Sequence, residues 1–144
     1  MIVWTHLLRL RGRPLSSFLL EQRRRPGQLD AVIESVWLGE TAEDGVLLSC
    51  GRHGTSIDID TRPPAAHDLG DLGCVEVVEA RTLAGHGPLQ RIAMLEASPT
   101  RHPIGVVLGF ADGASACVFK DGDELRLTIG RDAEAAGPLE ITLF

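Results

Sequence analysis

The sequence predicts a mainly β fold of the α+β kind: an antiparallel β-sandwich or open barrel with one N-terminal amphipathic helix. Three observations carry that expectation. From residue 29 onward, short apolar runs alternate with stretches rich in Gly, Pro, Asp and His. Two Asp-Gly pairs, Asp112-Gly113 and Asp121-Gly122, stand between such runs, where both residue types tolerate the positive φ of a tight hairpin turn. The chain of 144 residues, 44% hydrophobic and 24% charged, is long enough for one domain with a genuine core, 1–144, and short for two.

Taken in order, residues 2–10, IVWTHLLRL, suit a first strand, and nearly as well a short helix. Pro14 fits a first helical position, and Leu15, Phe18, Leu19 and Gln22 follow at helical spacing. Arg23, Arg24 and Arg25 then complement a helix dipole before Pro26-Gly27 stops the chain, so the amphipathic helix is expected over residues 14–25. Nine strands are expected at 30–38, 45–50, 55–60, 74–80, 89–97, 104–110, 115–119, 124–129 and 139–144. The run 89–97 also suits a helix through Leu89, Ile92 and Leu95. Sliding the chain 60 residues along itself matches Gly45 with Gly105, Val46 with Val106, Leu48 with Leu108 and Ile57 with Cys117, a candidate two-unit internal repeat.

Charge divides the chain into a basic N-terminal arm, 1–28, and an acidic β-rich body, 29–144. The arm holds six arginines, Arg9, Arg11, Arg13, Arg23, Arg24 and Arg25, against the single acid Glu21, in a chain of net charge −6. An acidic body repels nucleic acid and steers basic protein partners toward itself. The arm's arginines fit helix capping and pairing with body carboxylates better than phosphate contact, because aromatic residues are only 4% and tyrosine is absent. No run reaches the roughly 20 apolar residues that cross a bilayer, and the arginines follow the first apolar stretch rather than precede it. A cytoplasmic protein without membrane contact is expected.

Chemistry is sparsely marked. The ligand ladder of a calcium loop is missing after Asp112 and after Asp121, so both aspartates are expected to turn the chain. Cys50, Cys74 and Cys117 are odd in number and far apart, which fits buried reduced thiols. His53, His67, His86 and His102 fall in expected loops and His6 in the first apolar run, without HExxH or Cys-His zinc spacing. Cys50 with His53, or Ser115 with a loop histidine, could form a nucleophile pair, but no GxSxG, P-loop or GxGxxG motif accompanies them. No cofactor, metal or catalytic residue is assigned.

Alternation along SIDID puts Asp58 and Asp60 on one strand face, about 7 Å apart, with Ile57 and Ile59 on the other. With Asp68, Asp71, Asp121, Asp123 and Glu124 they form the set of carboxylates expected to contact a partner, and Trp37, where exposed, would be an aromatic anchor.

The segments GVLLSCGRHGTSIDID and GVVLGFADGASACVFKDGDELRLTI resemble small β-rich bacterial proteins of the immunity type that accompany polymorphic toxins. The shared feature is Gly-Val-x-Leu followed by an Asp-Gly turn and an acidic hairpin. That resemblance implies a non-enzymatic inhibitor that occludes the active face of a toxin or enzyme with a basic surface, and the arginine-bearing arm departs from its acidic surface. A small-molecule-binding β-domain, or an enzyme using the loop histidines, is the alternative expectation. A homo-oligomer packed through the N-terminal helix is a third.

Overall fold

The computed structural model describes residues 4–50, 56–97, 100–130 and the backbone of 139–143. Its elements in chain order are α1 (Trp4–Leu8), β1 (Ser17–Arg24), β2 (Val32–Gly39), β3 (Gly45–Cys50), β4 (Ile57–Asp60), β5 (His67–Asp68), β6 (Cys74–Glu79), β7 (Leu89–Ala97), β8 (Pro103–Phe110), β9 (Ser115–Asp121), β10 (Glu124–Gly130) and β11 (Leu139–Leu143). Short 3-10 turns lie at Gly70–Leu72 and Arg81–Leu83. The strands form two antiparallel sheets, one of six in the order β4-β3-β2-β1-β6-β5 and one of five in the order β10-β9-β8-β7-β11. The mainly β architecture read from the sequence is the one observed, and every expected strand from residue 30 on has its counterpart.

The N-terminal arm differs from expectation. Residues 14–25, read as the amphipathic helix, contain the strand β1, and the helix lies at Trp4–Leu8 instead. β1 sits inside the sheet between β2 and β6, pairing Leu20 with Val36 on one side and with Val78 on the other. Backbone bonds to two neighbours outweigh a weak helical preference. α1, only five residues long, is anchored by Leu7, which is 0% exposed.

Strand alternation sends Phe18, Leu20, Val36, Leu38, Val46, Leu48, Ile57 and Ile59 of the larger sheet inward. They meet Leu89, Ile92, Val106, Leu108, Phe110, Ala116, Val118 and Leu125 of the smaller one. Phe18 and Phe110 join the layers edge to face, with ring centres 6.3 Å apart. Each such fully buried side chain contributes about 1.5–3 kcal/mol by leaving water. Among the described residues no helix is long and apolar enough to cross a membrane.

The outer face of the six-stranded sheet has its own cover. β4 and β5 are the two edges of that sheet, and residues 61–66, TRPPAA, run between them. Crossing five strand spacings, roughly 24 Å, in the seven steps from Asp60 to His67 leaves no slack at roughly 3.3 Å per residue. Pro63-Pro64 favours the extended backbone this strap needs. Midway, the Ala65 N–H donates to the Glu21 carboxylate at 3.1 Å and the Arg62 guanidinium donates to it at 3.3 Å. Trp37 and Leu47 share that outer face by register, and they are 0% and 1% exposed.

The 60-residue slide does place β2 on β7, β3 on β8 and β4 on β9, each set a run of antiparallel neighbours. The pairing registers do not repeat. A copy of the Val36–Leu48 pair would set Glu96 opposite Leu108, where Ile92 stands.

Candidate functional site

The seven carboxylates singled out in the sequence separate into three places. Asp58 and Asp60 lie on edge strand β4, opposite Ser49 and Leu47. Asp68 and Asp71 lie at the other edge of the same sheet, on β5 and the 3-10 turn after it. Asp121, Asp123 and Glu124 surround the β9–β10 turn at the edge of the second sheet.

Several of these groups make the turns they sit in. One oxygen of Asp60 accepts the N–H groups of Thr61 at 2.6 Å and Arg62 at 3.3 Å, so this residue starts the strap. Asp68 accepts the Gly70 N–H at 2.8 Å, and Asp112 accepts the Ala114 N–H at 2.8 Å. These are Asx turns, the local use that makes Asp common at chain reversals. Asp121 and Glu124 both face Arg126, Glu124 at 3.5 Å. Asp123 stands exposed at the tip. Trp37 offers no surface: it is fully buried and its indole N–H donates to the Thr41 carbonyl at 3.0 Å. The anchor role expected of an exposed Trp37 has no place in this packing.

The β9–β10 hairpin brings other chemistry together. Lys120, Asp123 and Glu124 surround the thiol of Cys50 at the end of β3. Burial pushes that thiol up from its ordinary value against the pull of the Lys120 ammonium, with Asp123 and Glu124 adding to the rise. The group is therefore held as a neutral thiol, the less nucleophilic form. Cys117, in an apolar cluster with Ala93, Leu95 and Val107 on the outer face of the smaller sheet, is pushed by burial up to about 11. His53, paired with Cys50 in the sequence reading, lies outside the described residues.

Among the described residues β10 is bonded to β9 alone. Its two-residue turn, Gly122-Asp123, makes Asp121 and Glu124 a hydrogen-bonded pair, and the alternation of an antiparallel ladder then turns the backbone groups of Leu125, Leu127 and Ile129 away from β9. Along that side runs an open groove of about 290 Å³ between Ala31 and Ile33 of the β2 approach and residues Glu124 to Thr128. Ile129, 38% exposed, stands beyond the groove.

The described histidines are not gathered. His86 is engaged at both ring nitrogens, Nδ1 to Asp112 at 2.8 Å and Nε2 to the Thr82 carbonyl at 2.9 Å. Its pKa is raised first by the Asp112 hydrogen bond and then by the bond to Thr82. His67 and His102 are exposed in separate places, and His6 accepts from Arg9 at 2.9 Å. Among the described residues no group of three His, Cys, Asp or Glu side chains is placed to hold a metal ion.

Comparison with known proteins adds no relative. No family model, no curated protein and no solved structure matches the chain. Sequence reading marked the acids of the β9–β10 hairpin and missed the edge beside them. The signal was the alternation ELRLTIG directly after a two-residue turn.

Proposed function

We propose that this protein is a non-enzymatic protein-binding module whose contact surface is the β9–β10 hairpin and the open edge of β10. The observation that carries this reading is the conjunction on one element of three outward-turned backbone positions, Leu125, Leu127 and Ile129, with the carboxylates of Asp121, Asp123 and Glu124. An extended partner segment adds to such an edge through main-chain hydrogen bonds, and its inward side chains enter the groove over Ala31 and Ile33. Asp123, exposed at the tip, supplies the charge that steers a basic partner into register. The resemblance to immunity-type proteins supports the narrower form of the proposal, in which the partner is a toxin or enzyme and the bound hairpin blocks its active face.

The test begins with tagged protein co-expressed with the product of the neighbouring gene, followed by association kinetics on the recovered pair. Leu127→Pro removes an edge N–H without touching the β9 ladder and abolishes the complex. Asp123→Lys slows association most at low salt. A complex that forms at an unchanged rate with both variants sinks the assignment to this edge. A complex that leaves the partner's activity intact sinks the inhibitor form of it.

A further inference from the structure

We infer that the corner between the β1–β2 turn and the β5–β6 loop is a second docking surface, built to take an acidic protein segment with an aliphatic side chain. It shares no residue with the β10 groove and does not depend on that reading. A pocket of about 280 Å³ lies there, lined by Arg23, Arg25, Pro26, Leu69, Asp71 and Leu72. Leu72 is 72% and Leu69 37% exposed, and Leu29, in the turn that carries Pro26, is 96% exposed. These are three of the four large apolar side chains exposed among the described residues, at one corner of the molecule, and apolar exposure of that kind rimmed by charge marks interaction sites.

The arginines are unevenly used. Arg24 is committed to Glu76 at 2.8 Å, and the terminal nitrogen of Arg23 to Glu34. The Arg23 Nε is buried with no hydrogen-bond partner among the described residues and presents no surface to a ligand. Arg25 is exposed and makes no ion pair among the described residues. The loop that carries the leucines is firmly built. The Leu69 N–H donates to the Gly73 carbonyl at 2.9 Å, and Asp68 holds the Gly70 N–H. Gly73, at φ +107°, comes so close to β1 that a Cβ would stand 1.8 Å from the Arg24 carbonyl oxygen. Leu72 is thus presented to solvent by a braced loop.

Charge decides the occupant. With Arg23 paired to Glu34, Arg25 is the guanidinium of the lining left to meet an anionic group. Asp71 within the pocket and the net charge of −6 work against a polyanionic surface such as a phospholipid bilayer. A glutamate or aspartate beside a leucine-like residue satisfies both halves of the corner: carboxylate on Arg25, aliphatic side chain between Leu69 and Leu72.

The probe is a fluorescein-labelled peptide of alternating glutamate and leucine, titrated against the full chain by fluorescence anisotropy at low salt. Saturable binding below about 1 mM is expected, weakened roughly tenfold by Leu72→Ser and by Arg25→Glu. A lysine-leucine peptide, whose charge and alternation suit the β10 edge, is expected to be insensitive to Leu72→Ser and Arg25→Glu. Both corner residues are exposed, so equal thermal midpoints of the variants confirm that folding is retained; Leu72→Gln replaces Leu72→Ser if the midpoint falls. Absence of saturation, equal binding by the corner variants, or Leu72-dependent retention on phosphatidylserine vesicles in place of the peptide overturns the proposal.

Discussion

His86 and Asp112, 26 residues apart in the chain, share a hydrogen bond of 2.8 Å that ties the segment before β7 to the β8–β9 turn. The second nitrogen of the same ring donates to the Thr82 carbonyl, and the ring lies 5.5 Å from that of Phe110. A histidine so used has no free nitrogen for acid–base chemistry. It is a latch between loops.

The latch makes stability depend on pH in a definite direction. Because the His86 pKa is raised above its ordinary 6.5, its contribution is complete below that value and is lost as pH rises through the raised one. Asp112 is held below its ordinary 3.8, first by the Ala114 N–H and then by His86, so its contribution is complete above that value and is lost as pH falls through the lowered one. The thermal midpoint is therefore expected to fall as pH rises from about 6 to 8, and His86→Gln is expected to flatten that slope. Equal slopes in both proteins would show that the latch does not hold in solution.

The strap over the outer face hangs on one carboxylate. Glu21 is 4% exposed and receives both the Ala65 N–H and the Arg62 guanidinium. Ala65→Pro keeps the extended backbone and deletes the donor, at an expected cost of about 1–3 kcal/mol for the acceptor left short of a partner. Urea unfolding measures it. In a Trp4→Phe background the emission of Trp37 shifts to longer wavelength if the strap lifts.

Asp58 and Asp60, alike in sequence, are expected to differ in consequence. Asp58→Lys changes a half-buried group opposite Ser49 that caps no turn among the described residues, whereas Asp60→Lys deletes the acceptor of two N–H groups at the start of the strap. Urea midpoints should fall by the equivalent of about 0.5–2 kcal/mol more for Asp60→Lys, in the range of a lost capping acceptor. Equal midpoints would mean that the Asx turn at Asp60 contributes nothing.

Trp37→Ala is expected to cost about 3–5 kcal/mol, the range for a buried aromatic truncated to alanine. Trp37→Phe, which keeps most of the volume and loses the bond to the Thr41 carbonyl, is expected to cost less. The ordering, read from denaturant midpoints, checks that this residue packs and does not recruit a partner.

The strands from β2 onward were legible because turn residues punctuate them and some, such as β4 and β10, alternate apolar with polar residues. Asp112-Gly113 and Asp121-Gly122 stand where the chain reverses, with φ at the two glycines of +88° and +65°. β1 was misread because the strap buries its second face: Leu19 and Glu21 are covered outside while Phe18 and Leu20 are covered inside, which erases the period of two. β5 is two residues long and leaves no pattern to read. The acids of the β9–β10 hairpin were found, but composition does not separate an aspartate that turns the chain, such as Asp60 or Asp68, from one that faces solvent, such as Asp123. The corner at Leu72 was hidden for a related reason, since its leucines sit within DLGDLG, where the aspartates draw the eye.

The strap also predicts an order in time, checked by the folding and unfolding rates of Ala65→Pro. β1 to β4 can pair as consecutive neighbours, but β6 must return to β1, and the chain reaches it only by laying residues 61–66 across strands already assembled. Contacts that close last are absent from the transition state, so weakening them speeds unfolding and leaves the folding rate nearly unchanged. The hold of Glu21 on Ala65 and Arg62 is in this sense a setting of the native state's lifetime.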